Sequence, residues 1–438
     1  MCIRDRSTIA KRIAFHTLGC KLNFSETSTL SRDSLKYGYE NVDSKEFADI
    51  YVFNTCSVTE NANKETRKLI RRSKRINPNA FITLVGCYAQ LKPEELTNIE
   101  DVNLVLGTED KFELLNHLDQ IDFSNDIKSS YSGPITDVKT FEPSYSSDDR
   151  TRSFLKVQDG CDYNCTFCTI PLARGKSRNA SIKKTVDLAK DISRTNTKEI
   201  VLTGVNIGDF GKGTDENFYD LIQQIDNKVD IERIRISSIE PNLLTNEIIE
   251  FCFSSKKFMP HFHIPLQSGS DRMLKSMKRR YTTSLYSDRL NKIKSFDQDA
   301  CIGVDVIVGY PTESCEDFLE TYNFLKSNDV SYLHVFTYSE REDTEAIGIR
   351  PVVPHSERSR RSKILHELSD QKKSAFYEKS IGKTKPVLVE KNKNGMLFGY
   401  TDNYIKTRIQ GPVSLENTIQ NVLISDFKTN YVECEVLD

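Results

Sequence analysis

At 438 residues, with a formal net charge of −2 at pH 7 and 28% charged residues, the chain is ordinary for a globular protein and too long for one typical domain. The near-neutral total excludes a generally basic nucleic-acid coat, although a local stripe of cations is enough for phosphate contacts. No apolar run is long enough to span a membrane and no signal-peptide pattern opens the chain, so a cytoplasmic protein is expected, with no membrane partner. There the 11 cysteines stay reduced and read more readily as metal ligands or catalysts than as disulfides. The opening MCIRDRSTIAKR has no periodic pattern and is expected to be a disordered leader or a sequence artefact.

Four apolar, β-branched or aromatic runs punctuate the first 110 residues: RIAFHTLG (12–19), DIYVFNT (49–55), FITLVG (81–86) and VNLVLG (102–107). Helix-like segments separate them, the pattern of βαβ units and a parallel sheet, so residues 11–120 read as an open parallel α/β domain. Residues 121–150 turn polar, with serine, aspartate and proline prominent, and read as an inter-domain linker. Six strand-like runs follow in 151–378: SFLKVQ (153–158), EIVLTG (199–204), RIRISS (233–238), HFHIPLQ (261–267), GVDVIVG (303–309) and YLHVFTY (332–338). Without a seventh and eighth repeat, they suggest a partial (β/α)6 barrel of the TIM type, with its site at the C-terminal strand ends. The last segment, 379–438, alternates short strands with turn material such as NKNG and reads as a small five-stranded β-barrel. Such barrels often carry oligonucleotides, though the fold alone does not establish it.

Cysteines carry the chemistry. Cys161, Cys165 and Cys168 lie in the run CDYNCTFC, just after the first barrel strand. Three thiolates without a fourth would leave one iron of a four-iron cluster open for a ligand, whereas a structural zinc site is closed by four ligands. Buried structural cysteines and zinc are the competing readings. A second trio, Cys20, Cys56 and Cys87, follows the first three strands in the contexts TLGC, FNTC and LVGC. In a parallel sheet all three emerge on the rim where open α/β sheets bind ligands, so they are candidates for a second cluster with one iron open.

The blocks FHTLGCKLNFSET, NTCSVT, VGCYAQ, GCDYNCTFCTIPLARGKSR, LTGVNIGDFG, RIRISSIEP, HIPLQSGS and DVIVGYPTE together resemble the radical S-adenosylmethionine (SAM) methylthiotransferases. The likeness runs from about Arg12 to the terminal strands, which are similar to that family's TRAM domain. Three branches act on isopentenyl-adenosine in tRNA, on threonylcarbamoyl-adenosine in tRNA, or on an aspartate of a ribosomal protein. The ribosomal branch typically reads GCPKN at the first cysteine and the isopentenyl branch YGCQMN. Here the loop is Leu18-Gly19-Cys20-Lys21-Leu22-Asn23, similar to the threonylcarbamoyl branch, the MtaB type. The resemblance therefore implies addition of a methylthio group to C2 of N6-threonylcarbamoyladenosine at position 37 of tRNA. A non-catalytic, metal-bearing RNA-binding protein is the alternative from another class.

By that resemblance the Cys161/Cys165/Cys168 cluster reduces SAM to generate a 5′-deoxyadenosyl radical, and the Cys20/Cys56/Cys87 cluster holds the sulfur to be methylated and transferred. Two [4Fe-4S] clusters, SAM and a flavodoxin- or ferredoxin-type electron donor are implied, with tRNA and not DNA as the partner. Unactivated C–H bonds require such cofactor chemistry, and water must be kept from it. Phe167 is placed to pack near the SAM adenine; Asn206, Ser238 and Gln267 lie at rim positions suited to hydrogen bonds, and Gly204 and Gly309 to close backbone approach. Each has an ordinary reading too, as a core aromatic, a strand-end cap or a turn glycine.

For RNA, the segment NKETRKLIRRSKR puts Lys64, Lys68, Arg71 and Arg75 on one helical face, with Leu69 and Ile76 opposite, a candidate phosphate contact or simply a solvated face. Arg174 and Arg178 in the RGKSR run are further candidates; where the family commonly has a last arginine, this chain has Ala180. Tyr400, Tyr404 and Lys406 of the terminal barrel could stack on or grip nucleic acid, with core packing the expected role of at least one of the tyrosines.

Overall fold

The computed structural model describes residues 10–57, 60–123, 127–146 and 151–437, so the first nine residues of the expected leader lie outside the described residues. The chain forms two compact units, the first built on residues up to Ser146 with Gly160–Asp162 and Thr169–Lys176, the second on Ser147–Asp159, Tyr163–Cys168 and Ser177–Asp438.

In the first unit, β1 (Arg12–Thr17), β2 (Glu40–Val42), β3 (Ile50–Thr55), β4 (Phe81–Gly86), β5 (Leu104–Leu106) and β6 (Ser129–Tyr131) form one parallel sheet in the order β2-β1-β3-β4-β5-β6. Every residue of β3, β4 and β5 is buried, as expected of strands covered on both faces. Alternate residues feed two cores: Tyr51, Phe53, Ile82 and Leu84 on one face, Ile50, Val52, Phe81 and Val85 on the other. Helices α1 (Lys21–Lys36) and α2 (Glu60–Ile76) follow β1 and β3. Leu30 of α1 belongs to the second core and Leu69 and Ile70 of α2 to the first.

The four apolar runs match β1, β3, β4 and β5. Two edge strands are additional, and each is three residues long with little apolar content. One of them, β6, falls in the stretch expected as a linker. Further along that stretch β7 (Ser144–Tyr145) lies against α1: Ser144 Oγ is 3.3 Å from Ser25 Oγ, and the Arg32 guanidinium sits 4.0 Å over the Tyr145 ring. Residues 127–146 thus pack on the first unit. Hydrogen bonds and a cation–π contact hold them, with Val138 buried in an otherwise largely polar run, which is why their composition reads as a linker.

The second unit begins with β8 (Arg152–Lys156), β9 (Glu199–Thr203) and β10 (Arg233–Ile236), paired in parallel. Then come β11 (His261–His263), β12 (Cys301–Val308) and β13 (Tyr332–Thr337), also parallel. A parallel bridge between Ser238 and His263 marks the seam between the two sets. Helices alternate with these strands, and five of them start where a short polar side chain accepts from the backbone N–H three residues on: Ser181, Asn217, Thr245, Thr282 and Ser314. Ser314 and Asp317 complete a reciprocal capping box. The result is the open, six-repeat barrel expected.

After the long helix His355–Glu378, β14 (Thr384–Lys393), β15 (Met396–Thr401), β16 (Lys406–Gln410), β17 (Ile419–Lys428) and β18 (Tyr431–Val436) close a barrel in the order β14-β15-β16-β18-β17. Val387, Val389, Leu397, Ile409, Val422 and Val432 fill it. The hairpin β14–β15 turns through Asn394 and Gly395, both at positive φ, as a tight primed turn requires. Among the described residues no helix is long and apolar enough to cross a membrane.

Candidate functional site

The strand order of the first sheet places β1 and β3 side by side while the chain runs from β1 out to β2, so their carboxyl ends flank a topological switch point, where open sheets bind ligands. Cys20 is the N-cap of α1, Cys56 follows β3, and Cys87 begins the helix Cys87–Leu91 directly after β4. Gly19 has φ +91°, and a Cβ there would lie 2.7 Å from Cys56 Cβ and 2.8 Å from its Sγ, so only glycine lets the Cys20 turn close on Cys56. Asn23 ties the turns together, its Nδ2 donating to Leu18 O (2.9 Å) and Thr55 O (3.1 Å). Thr55 Oγ1 in turn donates to Val85 O (2.7 Å) and accepts from Ala89 N (3.3 Å), next to Cys87. The three turns are therefore knitted into one rim, with Cys20 exposed and Cys56 and Cys87 buried.

Beneath the rim lies a buried charge set. Glu26 accepts from Lys111 Nζ at 2.7 Å and from Arg174 at 3.0 and 3.2 Å, and Arg174 also donates to Asn23 Oδ1 at 2.5 Å. Glu26, Lys111 and Arg174 are each no more than 1% exposed. Burial pushes the Cys87 thiol up, and the Arg174 and Lys111 charges oppose that shift while Cys20 and Glu26 add to it. Thiolates are the metal-binding form, and two cations facing one carboxylate favour an anionic occupant, so these residues fit a thiolate-bound cluster. Arg174, expected from its charged run to meet RNA, is a buried support of this rim.

In the cysteine loop, Cys161 packs with the first unit, its N–H donating to Gly175 O at 2.9 Å, and Cys165 and Cys168 belong to the second. Cys165 is buried and Cys168 half-buried. Arg279 Nη1 lies 3.1 Å from Cys165 Sγ, Nε 3.1 Å from Tyr281 Oη, and Nη2 pairs with Glu240. Burial raises the Cys165 thiol against the pull of Arg279. Between the cysteines, Thr166 is clamped: its N–H donates to Met277 O (3.3 Å), its carbonyl accepts from Ala346 N (2.8 Å), and its hydroxyl meets Tyr310 Oη (2.7 Å). Arg279 was not singled out from sequence; it lies in a basic run after a short amphipathic helix, Asp271–Ser276, 114 residues from its partner.

The residues expected around SAM divide. Phe167 packs on the apolar cluster of Met273, Met277, Ile307 and Tyr310. Asn206 is buried, donates from Nδ2 to Asp209 (3.0 Å), and its Oδ1 has no hydrogen-bond partner among the described residues, an acceptor suited to a ligand. Gln267 sits at φ +66°, its backbone N–H donating to Asp305 O at 2.8 Å. Ser238 Oγ is engaged with His263 Nδ1 at 2.7 Å. The two glycines are explained by protein contacts: a Cβ at Gly204 would meet Gln158 O at 2.9 Å, and one at Gly309 would run into Arg358.

On α2, Lys64, Lys68, Arg71 and Arg75 are all exposed, Leu69 is buried and Ile76 half-buried. Arg178 is instead held against Asp159, by a side-chain contact of 3.3 Å and a reciprocal pair of 2.9 Å backbone bonds, with its side chain 11% exposed. It pins the loop after the cysteines rather than reaching for phosphate, and Asn179 Oδ1, accepting from Gly211 N at 2.9 Å, anchors the same loop beside Ala180. Tyr404 takes a packing role: it stacks on His261 (4.3 Å, 17°) under the Arg235 guanidinium, closing the N-terminal end of the β/α barrel. Tyr400 stacks on Tyr404 at 4.8 Å and, with Lys406, Lys391, Lys393, Phe398 and Tyr431, lines a groove of about 560 Å³.

The parallel barrel with a three-cysteine loop after its first strand defines a radical SAM enzyme, and residues 155–325 match the radical SAM superfamily model. That class carries SAM and a [4Fe-4S] cluster. Residues 12–107 match a model described as an uncharacterized protein family, UPF0004. The chain is 40% identical over 423 residues to the threonylcarbamoyladenosine tRNA methylthiotransferase MtaB of Bacillus subtilis (strain 168), spanning 94% of this chain and 93% of that protein. The MtaB of Aquifex aeolicus (strain VF5) is 40% identical over 404 residues, with 91% and 97% covered. A tRNA-2-methylthio-N(6)-dimethylallyladenosine synthase of Clostridium beijerinckii is 32% identical over 427 residues, with 94% and 93% covered. The chain belongs to the MtaB family of radical SAM tRNA methylthiotransferases. Among solved structures, the methyltransferase TsrM from Kitasatospora setae superposes with a TM-score of 0.55 at 11% identity, covering 77% of each chain, a likeness of fold.

Proposed function

We propose that this chain adds a methylthio group to C2 of N6-threonylcarbamoyladenosine at position 37 of tRNA, using two [4Fe-4S] clusters. The observation that carries the reading is the knitting of the Cys20, Cys56 and Cys87 turns into one rim over the buried Lys111–Glu26–Arg174 set, in a chain related over nearly its full length to MtaB. Residues 11–120 with the strands that follow act as the methylthiotransferase domain, 151–378 as the radical SAM barrel and 379–438 as a TRAM-like barrel.

When bound, a cluster with SAM supplies the one-electron chemistry needed at an unactivated C–H bond. Cys161, Cys165 and Cys168 would hold three irons of one cluster, with the Arg279 guanidinium beside Cys165 offsetting thiolate charge, and the Asn206 Oδ1 acceptor facing the cofactor. Cys20, Cys56 and Cys87 would hold the second, above Lys111 and Arg174. The exposed cations of α2 and the lysine- and aromatic-lined groove of the terminal barrel suit an RNA backbone and unstacked bases. A flavodoxin- or ferredoxin-type protein in the cytoplasm would provide electrons.

Anaerobic reconstitution with nucleoside mass spectrometry tests this. The wild type should hold about eight irons per chain and convert threonylcarbamoyladenosine to its methylthio form; the triple variant Cys20→Ala/Cys56→Ala/Cys87→Ala should keep about half the iron and SAM cleavage but lose the methylthio product. Full iron content in that variant, or unchanged product, would refute the assignment.

A further inference from the structure

Arg279, just past the helix Asp271–Ser276, is a cation whose side chain is only 4% exposed and whose three guanidinium nitrogens all meet a partner. Nε donates to Tyr281 Oη at 3.1 Å, Nη2 pairs with Glu240, and Nη1 donates to Cys165 Sγ at 3.1 Å. Tyr281 cannot swing away, because its buried hydroxyl lies 2.9 Å from Pro265 O and 2.8 Å from Leu266 O, in the segment after β11. Glu240 stands just beyond β10. A guanidinium is planar, so partners fixed at Nε and Nη2 also fix the direction of Nη1. The sulfur is held by the same stretch of chain. Thr166, next to Cys165, donates from its backbone N–H to Met277 O at 3.3 Å and from its hydroxyl to Ser276 O at 3.2 Å, both in the run that leads into Arg279. Donor and sulfur are therefore locked together before any cofactor is bound.

Such a donor acts on the charge of a ligating sulfur. Net charge, hydrogen bonds to the sulfurs and solvent exposure set the potential of an iron–sulfur centre. A reduced cluster carries one more negative charge than an oxidised one, so a guanidinium at a ligand favours the reduced form and a carboxylate behind it opposes that. With little water at Arg279, both effects are weakly screened.

We infer that Arg279 is a positioning residue that, through Cys165, raises the reduction potential of the cluster held by Cys161, Cys165 and Cys168, and that Glu240 limits the rise. This rests on the reading of those cysteines as cluster ligands. The pair would keep the cluster reducible by a protein electron donor without making it too weak a reductant for SAM.

The test uses the full-length Cys20→Ala/Cys56→Ala/Cys87→Ala protein, reconstituted anaerobically so that one cluster remains, and redox titration followed by electron paramagnetic resonance, without and with SAM. Arg279→Met, which removes the charge and the donors, should move the midpoint without SAM to more negative potential. The shift should equal at least a tenfold change in the reduced-to-oxidised ratio, about 59 mV for one electron. Glu240→Gln, which keeps an acceptor for Nη2 and removes the counter-charge, should move it the opposite way. Arg279→Lys, retaining charge on a less directed donor, should fall between Arg279→Met and the parent, and it carries the comparison if Arg279→Met takes up no iron. About four irons per chain in each titrated variant establishes that the site is filled. Loosened packing does not shift a potential in opposite directions for two partners of one ion pair. Midpoints that match the parent's without SAM, or that move the same way in the arginine and glutamate variants, overturn the inference. So does weakened SAM binding with that midpoint in place, since the guanidinium would then serve the SAM carboxylate. A parent protein that takes up no iron overturns the ligand reading as well.

Discussion

Replacing Glu26 with glutamine should loosen the first unit more than any other isosteric change near its cysteine rim. Glu26 is fully buried and is the carboxylate that both Lys111 and Arg174 contact, at 2.7 and 3.0 Å. Removing its charge leaves two buried cations without it, and breaking a buried pair by deleting one partner costs about 3–5 kcal/mol. Lys111→Met is the control, because Arg174 still pairs with Glu26 there and an apolar side chain of similar length fills the space. The chain has no tryptophan, so fluorescence is a poor probe. Amide hydrogen exchange on β1, β3 and β4 of the full-length apoprotein reads the same unit directly. At tenfold per 1.4 kcal/mol, exchange there should quicken by roughly a hundred- to several-thousandfold in Glu26→Gln and far less in Lys111→Met. Exchange in Glu26→Gln within about threefold of wild type, or equal damage from Lys111→Met, would refute the reasoning.

Two further outcomes are expected. Burial acts to raise the Asp317 carboxyl, but Arg272, Ser314 and Ser270 outweigh it and hold the group well below the usual carboxylate range; its stabilisation is therefore present above the unfolded value near 4 and lost as pH falls through the folded one. Asp317→Asn should cost about 2 kcal/mol at pH 7 by urea unfolding, and the difference from wild type should shrink below about pH 4; a pH-independent difference would count against the assignment. On α2, Lys68→Glu and Arg71→Glu together should weaken tRNA binding and flatten its salt dependence by about one unit of slope per contact, measured as log K against log salt, with an unchanged slope showing a merely solvated face.

Much of the fold was legible because parallel strands covered on both faces must be written as continuous apolar runs, and β3 and β4, buried throughout, read that way. The edges were not. A three-residue strand such as Ser129–Tyr131 carries no apolar period, and its place in the sheet is decided by backbone pairing with Leu104–Leu106, which composition does not record. The cysteine rim was legible for a different reason: Cys20, Cys56 and Cys87 each stand just beyond a strand marked by its apolar run, and a parallel sheet brings such positions to one edge. Their supports are generic residues whose meaning lies in distant partners. Arg174 finds Glu26 across 148 positions and Arg279 finds Cys165 across 114, and a charged run read locally turns such residues into surface cations.

The same distinction bears on how substrate choice is written in the chain. The words around Cys20 single out the threonylcarbamoyl branch, yet Leu22 and Asn23 are 3% and 1% exposed, and Asn23 is occupied with Leu18, Thr55 and Arg174. Buried residues that fix a turn cannot themselves read a nucleoside. The Cys20 loop therefore marks descent, setting the geometry of a cysteine, and discrimination among adenosines must come from side chains that a base can reach.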